Sequence, residues 1–322
     1  NPQHSYAYDL VVFGKDSLFN SICRTITSGG SVSIAANLTR ETPLSLKEIR
    51  KKAELQKEIA APDWRINFLA LGERNCKKID SAAVAEAMQK VSQMEVPGWF
   101  GSPISLVLGW LAIIGIIGSV VLSICSVISI NIPLWWVMLQ YMVVFFVCKQ
   151  TLDKIDSNGG KLRHQLIAYS QILRLIAQRD FQSQLGREIQ ESLADALPSF
   201  AQLEKILKGY DRRGNFLGLF FTDAFMLSDF FLVRSFLKWK NTYMVKMEEW
   251  MNVISEMDAM VSMADFRYNH PEANEPELQE LPEIIFEGKN LYHPFLGAKA
   301  VKNDFTVKDG NYYIITGANM AG

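Results

Sequence analysis

ISLVLGWLAIIGIIGSVVLSIC at residues 104–125 and IPLWWVMLQYMVVFFVC at residues 132–148 are the stretches whose reading decides the fold. Between Glu95 and Lys149 the chain carries no Asp, Glu, Lys or Arg. A helix rises about 1.5 Å per residue and the hydrocarbon core of a bilayer is about 30 Å thick, so a span needs roughly 20 apolar residues. The charge-free region is long enough for two, with Ser126 to Asn131 and Pro133 forming the turn of a helical hairpin within residues 96–150. Trp99 and Phe100 at one boundary, and Trp135 and Trp136 at the other, read as interfacial anchors. Lys77, Lys78 and Lys90 precede the region and Lys149, Lys154, Lys161 and Arg163 follow it, which predicts that both flanks face the cytoplasm. A buried helical pair in a large soluble core would also be apolar; the charge-free length and the basic flanks favour the membrane. Gly115 and Gly118 allow close helix packing, although their spacing is not G-x-x-x-G.

Outward from the hairpin the pattern is helical. Residues 1–40 read as a strand or loop entering a helix. Ser45 with Glu48 three residues later forms a capping box, with Leu44 and Ile49 as a staple, for a helix running to about Ala60 before Pro62. Leu162, Leu166, Tyr169, Leu173 and Ile176 form a stripe spaced alternately by four and three, and Tyr243, Met247, Trp250, Ile254, Met257, Val261 and Ala264 form a second. Both predict helix-to-helix packing. Phe216 to Leu237 is apolar enough to suggest a third span, but Asp223, Asp229 and Arg234 interrupt it, and it reads as a buried or amphipathic helix. Lys205, Lys208, Arg212 and Arg213 around Gly209 and Gly214 make a basic turn, which could meet phosphates but more often is a solvated loop.

From Phe266 the composition becomes acidic and rich in proline, which marks a boundary. Ile284 to Phe286, Asp304 to Val307 and Tyr312 to Thr316 then read as three strands of a new sheet, with Asp309-Gly310 as the turn between the last two. Gly317 and Gly322 follow the third strand with the spacing of a phosphate-binding loop, G-x-x-x-x-G-K-[ST], whose backbone N–H groups wrap phosphates. Spacing alone is a weak signal, because turns with two glycines are common.

Bulk chemistry narrows the rest. The chain has 322 residues, 49% of them hydrophobic, enough for a sizeable core. Its 33 Lys and Arg nearly balance 34 Asp and Glu, so any DNA contact needs a local patch. Cys23, Cys76, Cys125 and Cys148 lack C-x-x-C spacing and read as free thiols, and the four histidines are scattered, so no structural metal is expected. The chain begins at Asn1 without a signal-peptide pattern and stops inside a glycine-flanked loop, and both ends read as cuts.

The wording around that loop is more specific than its spacing. Ile314-Ile315-Thr316-Gly317-Ala318-Asn319-Met320-Ala321-Gly322 resembles the loop of the MutS family of DNA-mismatch-repair ATPases, where an I-T-G-x-N-M-x-G run leads into Lys and Ser. Asn290-Leu291-Tyr292-His293-Pro294 resembles the element opening that family's ATPase domain, and Val301-Lys302-Asn303-Asp304 the one before its central strand. Asp9-Leu10 to Phe13-Gly14, Ser17-Leu18-Phe19, Arg24-Thr25, Thr27, Gly29-Gly30, Trp64-Arg65 and Phe68 resemble the start of the family's core, or lever, domain. Trp239-Lys240 and Glu256 to Ala264 are similar to the lever helix returning to the ATPase domain.

The resemblance implies a mainly α fold. It consists of a lever-type helical core in two parts, residues 1–95 and 151–265, around the inserted transmembrane hairpin, then the first strands of an α/β P-loop ATPase domain at 266–322. It implies that the parent binds ATP and Mg, couples hydrolysis to DNA binding, and forms a homodimer through the ATPase domain. Gly317, Ala318, Asn319, Met320, Ala321 and Gly322 would hold phosphates, with His293 and Val301 near the nucleotide; the 322 residues, without the loop Lys, are expected to be inactive. The family's mismatch-wedging aromatic-x-Glu domain, its clamp arms and its adenine-stacking aromatic near Ala300 have no counterpart. A transporter-type ATPase and a non-catalytic membrane scaffold are the other readings.

Overall fold

The structure, a computed structural model, describes residues 6–8, 10–74, 79–211, 216–278, 284–292 and 300–314. Among the described residues, five α-helices precede the apolar region. Ser17 caps α1 (Leu18–Ile22) and Thr27 caps α2 (Ser28–Leu38). The Ser45–Glu48 capping box starts α3 (Leu46–Ile59) as expected, with Ala60 at its end. α4 (Pro62–Arg74) follows at once, and Asp80 caps α5 (Ser81–Gln93).

A short 3-10 turn at Gly98–Gly101 leads into α6 (Pro103–Ile124), and α7 starts after the expected turn, at Asn131. These two helices are long and apolar enough to cross a membrane. α7 differs from expectation in length. It does not end at Cys148 but runs unbroken to Ala177, 47 residues in all, so the second apolar segment and the Leu166–Ile176 stripe belong to one rod. No proline falls between Lys149 and Ala177 to stop it.

Five further helices complete the α part: α8 (Gln184–Ser192), α9 (Ala196–Asp211), α10 (Phe216–Met226), α11 (Ser228–Tyr243) and α12 (Met247–Asn269). The expected single helix at 216–237 is two, divided at Leu227, whose φ of 48° is left-handed. Both stripes pack over most of their length; the Leu162 side chain lies outside the described ones, and Tyr243, half-buried, ends α11 rather than continuing the α12 stripe. Leu166, Tyr169, Leu173 and Ile176 of α7 are buried, as are Met247, Trp250, Ile254, Met257, Val261 and Ala264 of α12. α12 packs on α2 and α3, and α7 on α5, α9, α10 and α11.

After α12, β1 (Ile284–Leu291) pairs antiparallel with β2 (Asn303–Lys308), Phe286 opposite Val307 and Gly288 opposite Phe305. Asp309-Gly310 turns as expected, with Gly310 at φ 71°. The third strand does not form over Tyr312 to Ile314. Those residues are irregular, and Tyr312 and Ile314 are almost fully exposed. A strand covered on both faces needs neighbours and helices on each side, and among the described residues the sheet has two strands and no helix packed on it.

Candidate functional site

The candidate phosphate loop, Gly317, Ala318, Asn319, Met320, Ala321 and Gly322, and the nucleotide-proximal His293 lie outside the described residues. Val301 is described: it precedes β2 and is 78% exposed. Around it, the Asn290 N–H donates to Asp304 Oδ1 at 2.7 Å, and the Lys302 ammonium sits 5.4 Å from the Tyr292 ring centre. Tyr313 folds back beside Phe305, and its hydroxyl accepts the Lys308 N–H at 3.2 Å. Hydrogen bonds from Asn311 and then Lys308 hold that hydroxyl below its ordinary titration range. The end of the hairpin beside Val301 offers an exposed apolar residue, a cation and one aromatic ring, Tyr292, while Tyr313 is held by Lys308 toward the other end. Among the described residues, no group of three His, Cys, Asp or Glu converges to hold a metal.

The structure joins two segments that the family resemblance singled out, residues 24–30 and 256–264. Asp258 of α12 is fully buried and accepts three hydrogen bonds: from Ile26 N–H (3.1 Å), Thr27 N–H (2.8 Å) and Thr27 Oγ1 (2.6 Å). Thr27 Oγ1 in turn accepts the Gly30 N–H at 2.9 Å, capping α2. One turn further along α12, Ser262 Oγ donates to Ile22 O and accepts the Arg24 N–H, each at 2.6 Å. Extended backbone before a helix leaves N–H groups that must be paired, and a carboxylate is the strongest acceptor available to them. Gly30 is obligatory here, because a Cβ at that position would lie 2.2 Å from Asp258 Oδ2.

A second buried network extends the clasp to α5 and α7. Thr27 and Ile79 form a parallel bridge, with Ile79 N–H on Ile26 O and Ser28 N–H on Ile79 O, each at 2.9 Å. Ser81 Oγ accepts the Gly29 N–H at 2.9 Å and lies 2.6 Å from the Tyr169 hydroxyl. Burial pushes that hydroxyl well above the ordinary tyrosine range, although the Ser81 hydrogen bond works the other way. Sequence reading missed the role of Asp258. Its only local sign is a carboxylate inside an otherwise apolar Met-rich stripe, where an unpartnered acid would be costly.

Protein-family models, curated proteins and solved structures give no match to this chain.

The apolar helices form the other distinctive surface. In the apolar segments of α6 and α7 only 22% and 28% of positions are buried, so most of their surface is left uncovered by the described residues. Ten large apolar residues of α6 and ten of α7 up to Val147 are exposed, including Ile104, Leu108, Leu111, Trp135, Leu139 and Phe146. Of the expected anchors, Trp99, Trp135 and Trp136 are exposed, but Phe100 is fully buried under Trp99, 4.0 Å between ring centres. Phe230 joins both rings in one aromatic cluster, 5.9 Å from Phe100 and 6.3 Å from Trp99 between ring centres. Gly115 admits the Trp136 ring, where a Cβ would lie 2.6 Å away; Gly118 faces open space and takes no part in packing. Cys23, Cys125 and Cys148 form no disulfide among the described residues, and Cys76 lies outside them.

Proposed function

We propose that this chain is part of a membrane-anchored, MutS-type ATPase whose parent couples ATP and Mg binding and hydrolysis to DNA binding, and dimerises through its ATPase domain. The observation that carries the family reading is the I-T-G-A-N-M-A-G wording of residues 315–322, together with matching segments 24–30 and 256–264 that meet through Asp258. Two stretches more than 200 residues apart resemble the same core domain and are in contact. That is what a conserved pairing of core and returning helix would require.

The membrane reading rests on free energy. Leaving twenty large apolar side chains about half exposed in water forgoes roughly 1 kcal/mol each, or about 20 kcal/mol. A whole domain is stable by only about 5–15 kcal/mol, so that surface needs an apolar surrounding, and two adjacent spans fit a bilayer. The Lys-rich flanks support a cytoplasmic side for both ends.

The decisive experiment extends the chain past Gly322. The full-length protein should continue with Lys and then Ser or Thr, bind ATP with Mg, and lose binding on Gly322→Asp. A different continuation, or ATP binding indifferent to that substitution, sinks the ATPase reading. Salt-insensitive or absent DNA binding by the full-length protein would remove the nucleic-acid part. Recovery of the chain from cells in the soluble fraction without detergent would remove the membrane part.

A further inference from the structure

α10 and α11 form a helical hairpin that lies against both apolar helices. Phe220 meets Tyr141 of α7 at 4.9 Å between ring centres, and Phe231 meets Trp110 of α6 at 5.6 Å. Phe230 fills the space that Gly109 leaves open on α6. Near the hairpin tip, Gln140 Nε2 donates to Ala224 O at 3.0 Å. Gln140 stands nine residues before Lys149 and eight after Ile132, so it lies about 13 Å inside the apolar segment from either end. At the hairpin's other end, Arg234 Nη1 donates to Phe100 O (2.6 Å) and Ser102 O (2.8 Å), where α6 begins.

The polarity of this hairpin is inverted relative to one facing water. Its two carboxylates are inside: Asp223 and Asp229 are fully buried, and the Asp229 N–H donates to Asp223 Oδ1 at 2.8 Å. Its outer face carries Phe221, 58% exposed, and Met226, 65% exposed. Thr222 also faces out, but its hydroxyl donates back to Gly218 O and Leu219 O at 2.9 and 3.1 Å, so its polar group is satisfied within the helix. Water favours the reverse arrangement, with acids out and rings in, whereas hydrocarbon favours this one. Lys205, Lys208, Arg212 and Arg213 precede the hairpin in sequence, and Arg234, Lys238 and Lys240 lie in the second half of α11, away from the tip.

We propose that α10–α11 is a re-entrant membrane element. It enters from the side that holds Lys149, reaches about the middle of the bilayer at Leu227, and turns back, with its Phe221–Met226 face against lipid acyl chains. The occupant is lipid because that face continues the exposed apolar surface of α6 and α7 at the same depth, fixed by the Gln140–Ala224 hydrogen bond. Leu227, the left-handed residue of the tip, is itself buried, between exposed Met226 and Ser228. The inference rests on the membrane reading of α6 and α7.

Reconstitution of the 322-residue chain in phosphatidylcholine vesicles tests it, using one lipid with a diazirine at the acyl terminus and another with the diazirine on the headgroup. After photolysis, labelled peptides are mapped by mass spectrometry. The acyl-terminal probe should label α6 and α10 to comparable extents and leave α2 and α3 unlabelled. Labelling of α6 without α10, or of α10 by the headgroup probe in preference to the acyl probe, overturns the re-entrant hairpin and leaves the spans standing. Absence of acyl-probe labelling from both α6 and α10 overturns the membrane reading itself.

Discussion

Asp258→Ala tests the join between the amino-terminal segment and α12. The substitution removes three hydrogen bonds and leaves the buried N–H groups of Ile26 and Thr27 without their acceptor. Each buried donor so stranded costs about 1–3 kcal/mol. The variant also relieves the burial of a carboxylate, which offsets part of the loss, so the net expectation is about 2–4 kcal/mol, from two stranded neutral donors and the lost charged acceptor. Asp258→Asn keeps the shape and one accepting oxygen but turns an N–H₂ toward a donor, and should cost about half as much. Thr27→Val deletes the hydroxyl that bonds Asp258 and caps α2, for about 1–2 kcal/mol. Unfolding of the detergent-solubilised chain by guanidinium, followed by tryptophan fluorescence, reads all three, and the double variant closes a cycle. Coupling between the two sites should exceed about 1 kcal/mol. An Asp258→Ala loss below about 1 kcal/mol, or additivity of the two substitutions, would refute the view that this carboxylate holds the segments together.

Glycine substitutions separate close approach from mere composition: Gly30→Ala and Gly115→Ala should each destabilise by about 1–3 kcal/mol by colliding with Asp258 and Trp136, while Gly118→Ala should change the unfolding midpoint little. Tyr169 gives an alkaline signature. Its folded hydroxyl titrates above the ordinary tyrosine value, so its contribution is complete below that value and is lost as pH rises through and beyond it; Tyr169→Phe should flatten that limb of a stability-against-pH curve. Glu58 gives an acid one. Burial opposes its charge, but hydrogen bonds from Ser183 and Gln182 hold it below the ordinary carboxylate range, so stability present above that range falls as pH drops through it. Glu58→Gln should remove this slope.

What was legible in the sequence was what depends on near neighbours or on strict period. The Ser45–Glu48 box, the two stripes, the Asp309-Gly310 turn and the apolar helices each follow from residues within a few turns of one another. The clasp was not legible, because nothing within reach of Asp258 in sequence says that its partners sit at residues 26 and 27. The break between α10 and α11 was equally hidden, since Leu227 adopts a left-handed conformation without the Gly or Asn that usually announces one. Tyr312 to Ile314 shows the opposite failure: its apolar composition suits a buried strand, but burial requires neighbours that the described residues do not supply. The candidate nucleotide loop was legible only through wording shared with a family, since two glycines at that spacing carry little chemistry on their own.

The two hidden features bear on how the proposed machine would work. α7 carries apolar residues at Phe146 and core residues at Tyr169 on one helix, about 70 Å long at 1.5 Å per residue. α11 does the same over a shorter distance, with Phe230 against α6 and Trp239 buried in the core, its indole N–H donating to Ser199. A flexible tether would let the core move while the membrane part stayed still. Two continuous helices, further tied by Arg234 to the start of α6, do not permit that. In a MutS-type ATPase whose nucleotide state moves the lever helices, any tilt of α7 must therefore be matched by tilt or sliding of its apolar segment against α6 and the α10–α11 hairpin. The membrane region then belongs to the moving part rather than serving as a passive anchor.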